Sequence, residues 1–216
     1  MKISIVIPAS DKNKYSTLGD LNFWGDTTLL EWKISQAKKV KNVDKIYVTS
    51  KSAKIQNIAK HNDVKVLGRD KVDNLKNLYR YASRKISSEY ILWLNCTFPF
   101  LSESTINKFL KEFIKKNKKY DSAFMFHLEK EYFFKKNKPI NFLSKNMITE
   151  RNKIIPLKKI SNGAFIFNKK YLLKNKNAFG EKPSFFKINW LESLEIKETN
   201  HIKSFANILD CFTEKK

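Results

Sequence analysis

The residues best suited to chemistry sit where apolar runs end. "YILWL" (90–94) is one such run, and it stops on Asn95-Cys96-Thr97, just before Pro99. A carboxamide and a hydroxyl at that point can hydrogen-bond a base, a ribose or another polar ligand. The run "ISIVIP" (3–8) ends on Ala9-Ser10 and opens a polar stretch, 9–27, that carries Lys14 and Asp20. Asn162-Gly163-Ala164 leads into "GAFIF" (163–167), and glycine there lets backbone approach a ligand closely. Other chemistries find no support. His61, His127 and His201 are isolated, and Cys96 and Cys211 lie far apart, so no zinc spacing is present. No Ser-His-Asp set is readable, and the three histidines read as structural. Trp24, Trp32, Trp93 and Trp190 read as core or subunit-contact residues rather than stacking platforms.

Regular elements must hold these residues. "ISIVIP", "KIYVTS" (45–50), "VKVL" (64–67) and "YILWL" are short apolar runs, the mark of strands buried on both faces. Between them Leu30, Ile34 and Ala37, then Ile55, Ile58 and Ala59, then Leu75, Leu78, Tyr79 and Ala82 recur at helical spacing. Ser50 or Ser52 suits the cap of the second helix. Ile106, Phe109, Leu110, Phe113 and Ile114 predict a helix over 103–116, capped by Ser102 or Ser104. "SAFMFHL" (122–128), "GAFIF" and "FFKIN" (185–189) read as further strands, and Ile202, Phe205, Ala206 and Leu209 as a closing helix over 198–212. Strands alternating with helices predict a mostly parallel, three-layer α/β sheet. Such sheets bind ligands at the carboxyl ends of their strands. The Asn95–Thr97 tip and the 9–27 loop then share one edge.

Bulk properties narrow the classes. The chain has 216 residues, 42% of them apolar, which suits one ordered domain with a real core. Five glycines and five prolines argue against a loop-rich all-β or repeat protein. No apolar run approaches the ~20 residues of a membrane span. "MKISIVIPAS" is too short for a signal peptide, and "DKNKYS" follows it in place of a cleavage site, so a reducing cytoplasm is expected. The net charge of +22 suggests an anionic partner. Yet only Arg69, Arg80, Arg84 and Arg151 are arginines, and the lysines are spread along the chain. Nucleic-acid interfaces favour clustered, bidentate arginine. The charge therefore reads as the lysine and asparagine usage of an AT-rich genome, and nucleic acid is not the expected partner.

In their order the pieces resemble the cytidylyltransferases that make CMP-activated acidic sugars, the CMP-sialic acid synthetase family. "IVIPAS" with Lys14 is similar to that family's first strand and nucleotide loop. "DTTLLEWKISQAKKVKNVDKIYVTSKSAKIQNIAK" (26–60) resembles its "G-K-P-L-I" helix and "V-S-T-D" strand. "NCTFPFLS" (95–102) is similar to its "Q-P-T-S-P-L-R", and "SNGAFIFNKKYLL" (161–173) to its "N-G-A-I-Y-I". "SLEIKETNHIKSFANIL" (193–209) falls where the family has "S-I-D-I-D-T-E-x-D" and a helix. The likeness spans roughly 3–212. It implies a Rossmann-like nucleotidyltransferase domain over 1–216, with 129–160 as a protruding arm through which members pair as homodimers. Tyr132, Phe133, Phe134 and Phe142 suit such an interface.

The resemblance also implies a reaction. CMP passes from CTP to an acidic sugar acceptor for surface-glycan synthesis, and pyrophosphate leaves. Positioning and charge neutralisation carry such a transfer, usually with Mg²⁺. Ala9, Ser10, Lys14, Arg69, Asn74, Asn95 and Thr97 fall at nucleotide-binding positions, and Asn162 and Gly163 at the acceptor. Lys14 and Glu195 take the catalytic positions, and Glu195 the metal. Several positions depart from the pattern. Ser10 replaces an arginine, Ser102 lies near another, and Gly19-Asp20 replaces a Lys-Asn pair, where Asp20 would repel a triphosphate. Asp-x-Asp becomes Glu195-Ile196-Lys197, and an ion pair between its ends would fill the metal position without metal. Glu192 and Glu198 are the substitute carboxylates. An impaired member that binds a nucleotide or a protein partner is the alternative.

Overall fold

The computed structural model describes residues 1–13, 16–69, 74–116, 119–146 and 151–213. The chain runs β1 (Ile3–Pro8), β2 (Phe23–Trp24), β3 (Thr27–Thr28), α1 (Leu29–Lys38), β4 (Ile46–Ser50), α2 (Ala53–His61), β5 (Lys65–Gly68) and α3 (Leu75–Lys85). It continues with β6 (Tyr90–Leu94), α4 (Glu103–Lys116), β7 (Ser122–Glu129), β8 (Phe134–Lys135), β9 (Lys138–Pro139), β10 (Leu157–Asn168), α5 (Lys169–Asn175), β11 (Pro183–Lys187) and α6 (Thr199–Thr213). Seven strands form one sheet in the order β11-β7-β10-β6-β1-β4-β5. Only β10 runs antiparallel to its neighbours, so the sheet is mostly parallel and the α/β expectation holds.

Apolar runs on both faces of the strands explain the three layers. Ile3, Ile5 and Ile7 of β1 join a core with Leu30 and Ile34 of α1, Ile55 of α2, and Ile106 and Phe109 of α4. Val6 points the other way, into a second core with Leu78 and Ala82 of α3, Trp93 of β6 and Leu172 of α5. Helix ends follow their caps. Thr28 and Glu31 form a reciprocal capping box on α1. Ser102 Oγ accepts the Thr105 N–H at 3.1 Å at the start of α4. Ser52 precedes α2 without a side-chain cap bond.

The segment between β7 and β10 leaves the sheet after Glu129 and returns at Leu157, which pairs with Glu129. Residues 157–160, assigned to the arm by composition, thus lie in a sheet strand. The excursion is organised by buried Asn141. Its Nδ2 donates to the carbonyls of Glu131 (2.8 Å) and Ile155 (3.0 Å), and its Oδ1 accepts from Phe133 N (3.0 Å). Tyr132 and Phe134 meet Phe142 edge-on at 4.9 and 5.2 Å between ring centres. Among the described residues no helix is long and apolar enough to cross a membrane.

Candidate active site

Residues 9–27 leave the carboxyl end of β1 and fold back on themselves. Ser10 N donates to Asp20 Oδ2 (2.8 Å), and Asp20 N returns a bond to Ser10 O (2.7 Å). The amides of Lys12, Asn13, Ser16, Leu18 and Gly19 are likewise bonded within the loop. Asp20 does not face outward as the sequence suggested; it is buried beneath the loop. Burial raises its carboxyl to about 6, against the pull of the Ser10 N–H and the Arg69 guanidinium. The raised value gives a pH signature. Between about 3.8 and 6 the fold holds a proton that the unfolded chain has released, so stability falls as pH rises through that window. Asp20→Asn keeps an acceptor for Ser10 and should abolish this fall, about 3 kcal/mol in thermal melts from pH 3.5 to 7. An unchanged profile would contradict the burial of the carboxylate.

Arg69 follows β5 and reaches past β4 to β1, where its Nη2 donates to Ala9 O at 3.0 Å. Burial pulls its pKa below the ordinary value, and Asp20 pushes it back. This places a cation over the end of β1, beside Ser10. Asn74 Oδ1 caps α3 by accepting Asn77 N at 2.9 Å. Lys14 lies outside the described residues.

The tip after β6 is built from two sides. Asn95 N and Nδ2 donate to Gly163 O (3.0 Å) and Asn162 O (2.7 Å), tying the carboxamide to β10. From below, α1 supplies three donors. Trp32 Nε1 bonds Pro99 O (2.9 Å), Lys33 Nζ bonds Phe98 O (2.9 Å), and Gln36 Nε2 bonds Leu101 O (2.8 Å). Lys33 is fully buried, its Nζ also bonds Gln36 Oε1 (2.7 Å), and burial lowers its pKa to about 8. Sequence reasoning missed this residue by counting it among dispersed lysines. Its spacing could have revealed it: Leu29, Lys33 and Ala37 fall at i, i+4, i+8 on the core face of α1. Cys96 is buried, and burial pushes its thiol well up, so it packs as an apolar group.

Asn162 is exposed, whereas Gly163 is buried. A Cβ on Gly163 would meet Phe98 at 3.0 Å and Leu101 at 3.1 Å, so this glycine serves close packing of the tip on β10. The pairing with β7 shifts register between Ser161 and Phe165. Such an irregularity re-aims side chains beside functional sites.

The segment 194–202 crosses over the tip. Ile196 N donates to Thr97 O at 2.8 Å. Ile196, Glu198 and Ile202 line a depression with Thr97 and with Asn13, Ser16, Gly19 and Asn22 of the loop. The N-terminal loop and the tip therefore border one cleft. On the other side Glu195, Lys197 and His201 line a cavity of about 400 Å³ together with Asn162, His127 and Lys159. Exposed Trp190 also lines it, while Trp24 and Trp93 are core residues.

Lys197 Nζ lies 3.3 Å from Glu195 Oε2. Glu192 is buried and holds Ser102 N (3.3 Å), Ser102 Oγ (2.8 Å) and Asn189 Nδ2 (3.0 Å), so it fastens the 189–195 segment to α4. Among the described residues no three His, Cys, Asp or Glu side chains cluster to hold a metal. A single carboxylate paired with an ammonium does not fit a Mg²⁺ site built by the protein.

Comparison with known proteins places this geometry. No curated protein matches the chain in sequence. A CMP:2-keto-3-deoxy-manno-octonic acid synthetase solved with CTP superposes with a TM-score of 0.76 at 11% identity, over 97% of this chain and 99% of that one. The 4-diphosphocytidyl-2C-methyl-D-erythritol synthase of Anaerococcus prevotii gives 0.70 at 14% identity, over 97% and 98%. A cytidylyltransferase of Leptospira borgpetersenii serovar Hardjo-bovis gives 0.57 at 18%, over 81% and 63%. At these identities the likeness establishes the fold. Residues 20–214 match the cytidylyltransferase family itself, and the chain therefore belongs to that family of nucleotidyl-transferring enzymes.

Proposed function

We propose that the protein transfers CMP from CTP to a hydroxyl of an acidic sugar and releases pyrophosphate. The observation that carries this reading is the Ile196–Thr97 hydrogen bond. It sets the cleft of the loop and tip back to back with the 400 Å³ polar cavity. In this reading CTP lies along the cleft, against Ala9, Ser10, Arg69, Asn95 and Thr97. The acceptor fills the cavity beside Asn162. Arg69, and Lys14 within the same loop, supply positive charge for the phosphates. The solved synthetase for a 2-keto sugar acid shares the fold and favours this acceptor class over a neutral one. Pyrophosphate release with CTP and a panel of eight- and nine-carbon 2-keto sugar acids tests it, and no turnover with any of them would overturn it.

One observation favours the second reading, a member that binds nucleotide without turnover: the Lys197–Glu195 ion pair occupies the metal position. The two readings part on Mg²⁺. Lys197→Asp should create Mg²⁺-dependent thermal stabilisation by CTP if this position is the metal site. Equal stabilisation of both proteins with and without Mg²⁺ would refute that assignment. A homodimer through the 130–156 excursion belongs to the same proposal. Phe134, Ile140, Leu143 and Ile155 are exposed there, an apolar surface of the kind that pairs. Light scattering at micromolar concentration should give a dimer mass that Ile140→Glu with Leu143→Glu lowers to a monomer's.

A further inference from the structure

The 400 Å³ cavity is lined by a histidine that the sequence offered as structural. His127 lies near the end of β7, 3% exposed. Its Nε2 lies 2.8 Å from Glu129 Oε1, which also accepts Lys159 Nζ at 2.7 Å. Lys159 stands opposite His127 across the β7–β10 ladder, and Glu129 is two residues on, so all three share one face. Nδ1 of His127 is buried and has no hydrogen-bond partner.

This arrangement fixes the ring chemically. A carboxylate only accepts, so Nε2 carries the proton. Were the ring doubly protonated, Nδ1 would be a buried cationic N–H without an acceptor, the costlier form. The Lys159 ammonium already compensates Glu129 and weakens its hold on a second proton. The ring is therefore neutral, with a lone pair at Nδ1 that demands a donor. A polar group left unmatched in a cavity wall is matched by what enters the cavity.

We propose that His127 determines acceptor specificity, its Nδ1 accepting a hydrogen bond from a hydroxyl of the sugar seated in the cavity, while Glu129 and Lys159 position the ring. The inference rests on reading the cavity as the acceptor site. It differs from a packing role in which nitrogen matters. His127→Asn keeps an acceptor near the place of Nδ1 and loses the Glu129 bond. His127→Gln keeps a donor toward Glu129 and loses the Nδ1 acceptor.

The experiment measures pyrophosphate release with CTP and 2-keto-3-deoxy-manno-octonic acid. Loss of one neutral hydrogen bond corresponds to roughly a fivefold to tenfold change. Gln should raise KM for the keto acid by about that factor, Asn should stay near wild type, and KM for CTP should not move in either. In ¹⁵N-histidine-labelled protein the His127 Nδ1 resonance should shift when the keto acid is added with a non-hydrolysable CTP analogue. Wild-type turnover with Asn impaired as much as Gln, or more, would overturn this inference alone. A protein that CTP stabilises, but that shows neither turnover nor a shift of Nδ1 with this acid, overturns the acceptor reading along with it.

Discussion

Gly19→Ala should unfold the nucleotide loop and abolish stabilisation by CTP. Gly19 has φ +51°, and a Cβ there would clash with Ser10 O and lie 2.7 Å from Lys12 N. Neither atom can yield, because Ser10 O accepts the Asp20 amide at 2.7 Å and Lys12 belongs to the same closed loop. Left-handed strain alone costs about 1–2 kcal/mol. With the backbone clash, a loss of roughly 3 kcal/mol or more is expected. Gly25→Ala is the control. Gly25 has φ +58° but nothing within 4 Å of its added Cβ, so it should lose only the strain. Thermal melts with and without CTP compare the two. Equal melting temperatures for both variants would mean that the loop does not close on Ser10 as described.

Lys33→Met is the second large effect, and it separates function from stability. In the fold the ammonium is pulled down to about 8 from an ordinary 10.5. Between those values the unfolded chain binds the proton that the fold has released, so stability rises with pH across the window. The rise amounts to about 3 kcal/mol. Met removes that penalty but leaves the Phe98 carbonyl and Gln36 Oε1 without their donor, at about 1–3 kcal/mol each. Net stability near pH 7 should therefore change little, while the rise between pH 8 and 10.5 disappears. Nucleotide affinity should nevertheless fall by roughly tenfold or more, because a loss near 1.4 kcal/mol in holding Asn95 and Thr97 has that effect. Denaturant melts at pH 7.5 and 10 with CTP titrations read both. A Met variant that retains the alkaline rise would show that Lys33 is not its source.

These two residues also mark how far the sequence could be read. The strands 3–8 and 90–94 and the helix 103–116 were legible because buried apolar runs and a 3.6-residue stripe admit few alternatives. β10 was legible only from Gly163 onward. Its first half, with Lys158, Lys159 and Asn162, is exposed on one face and carries no apolar signal, so the arm was drawn too long. The direction of polar side chains was the least legible. Asp20 reads as a charge facing phosphate until the loop closes over it, and Glu192 as a metal ligand until Ser102 takes its carboxylate. Lys33 and His127 acquire their roles from partners 65 and two residues away, which composition does not encode. The pairing of Glu195 with Lys197 was legible, because period-two spacing puts both on one side of an extended segment.

The central claim is that the N-terminal loop and the tip after β6 form one nucleotide cleft. Amide NMR during CTP titration tests it most directly. The expected result is a common set of shifts at Ser10, Gly19, Asn95, Thr97 and Ile196, with one dissociation constant. Shifts confined to other surfaces, or none at millimolar CTP, would contradict it.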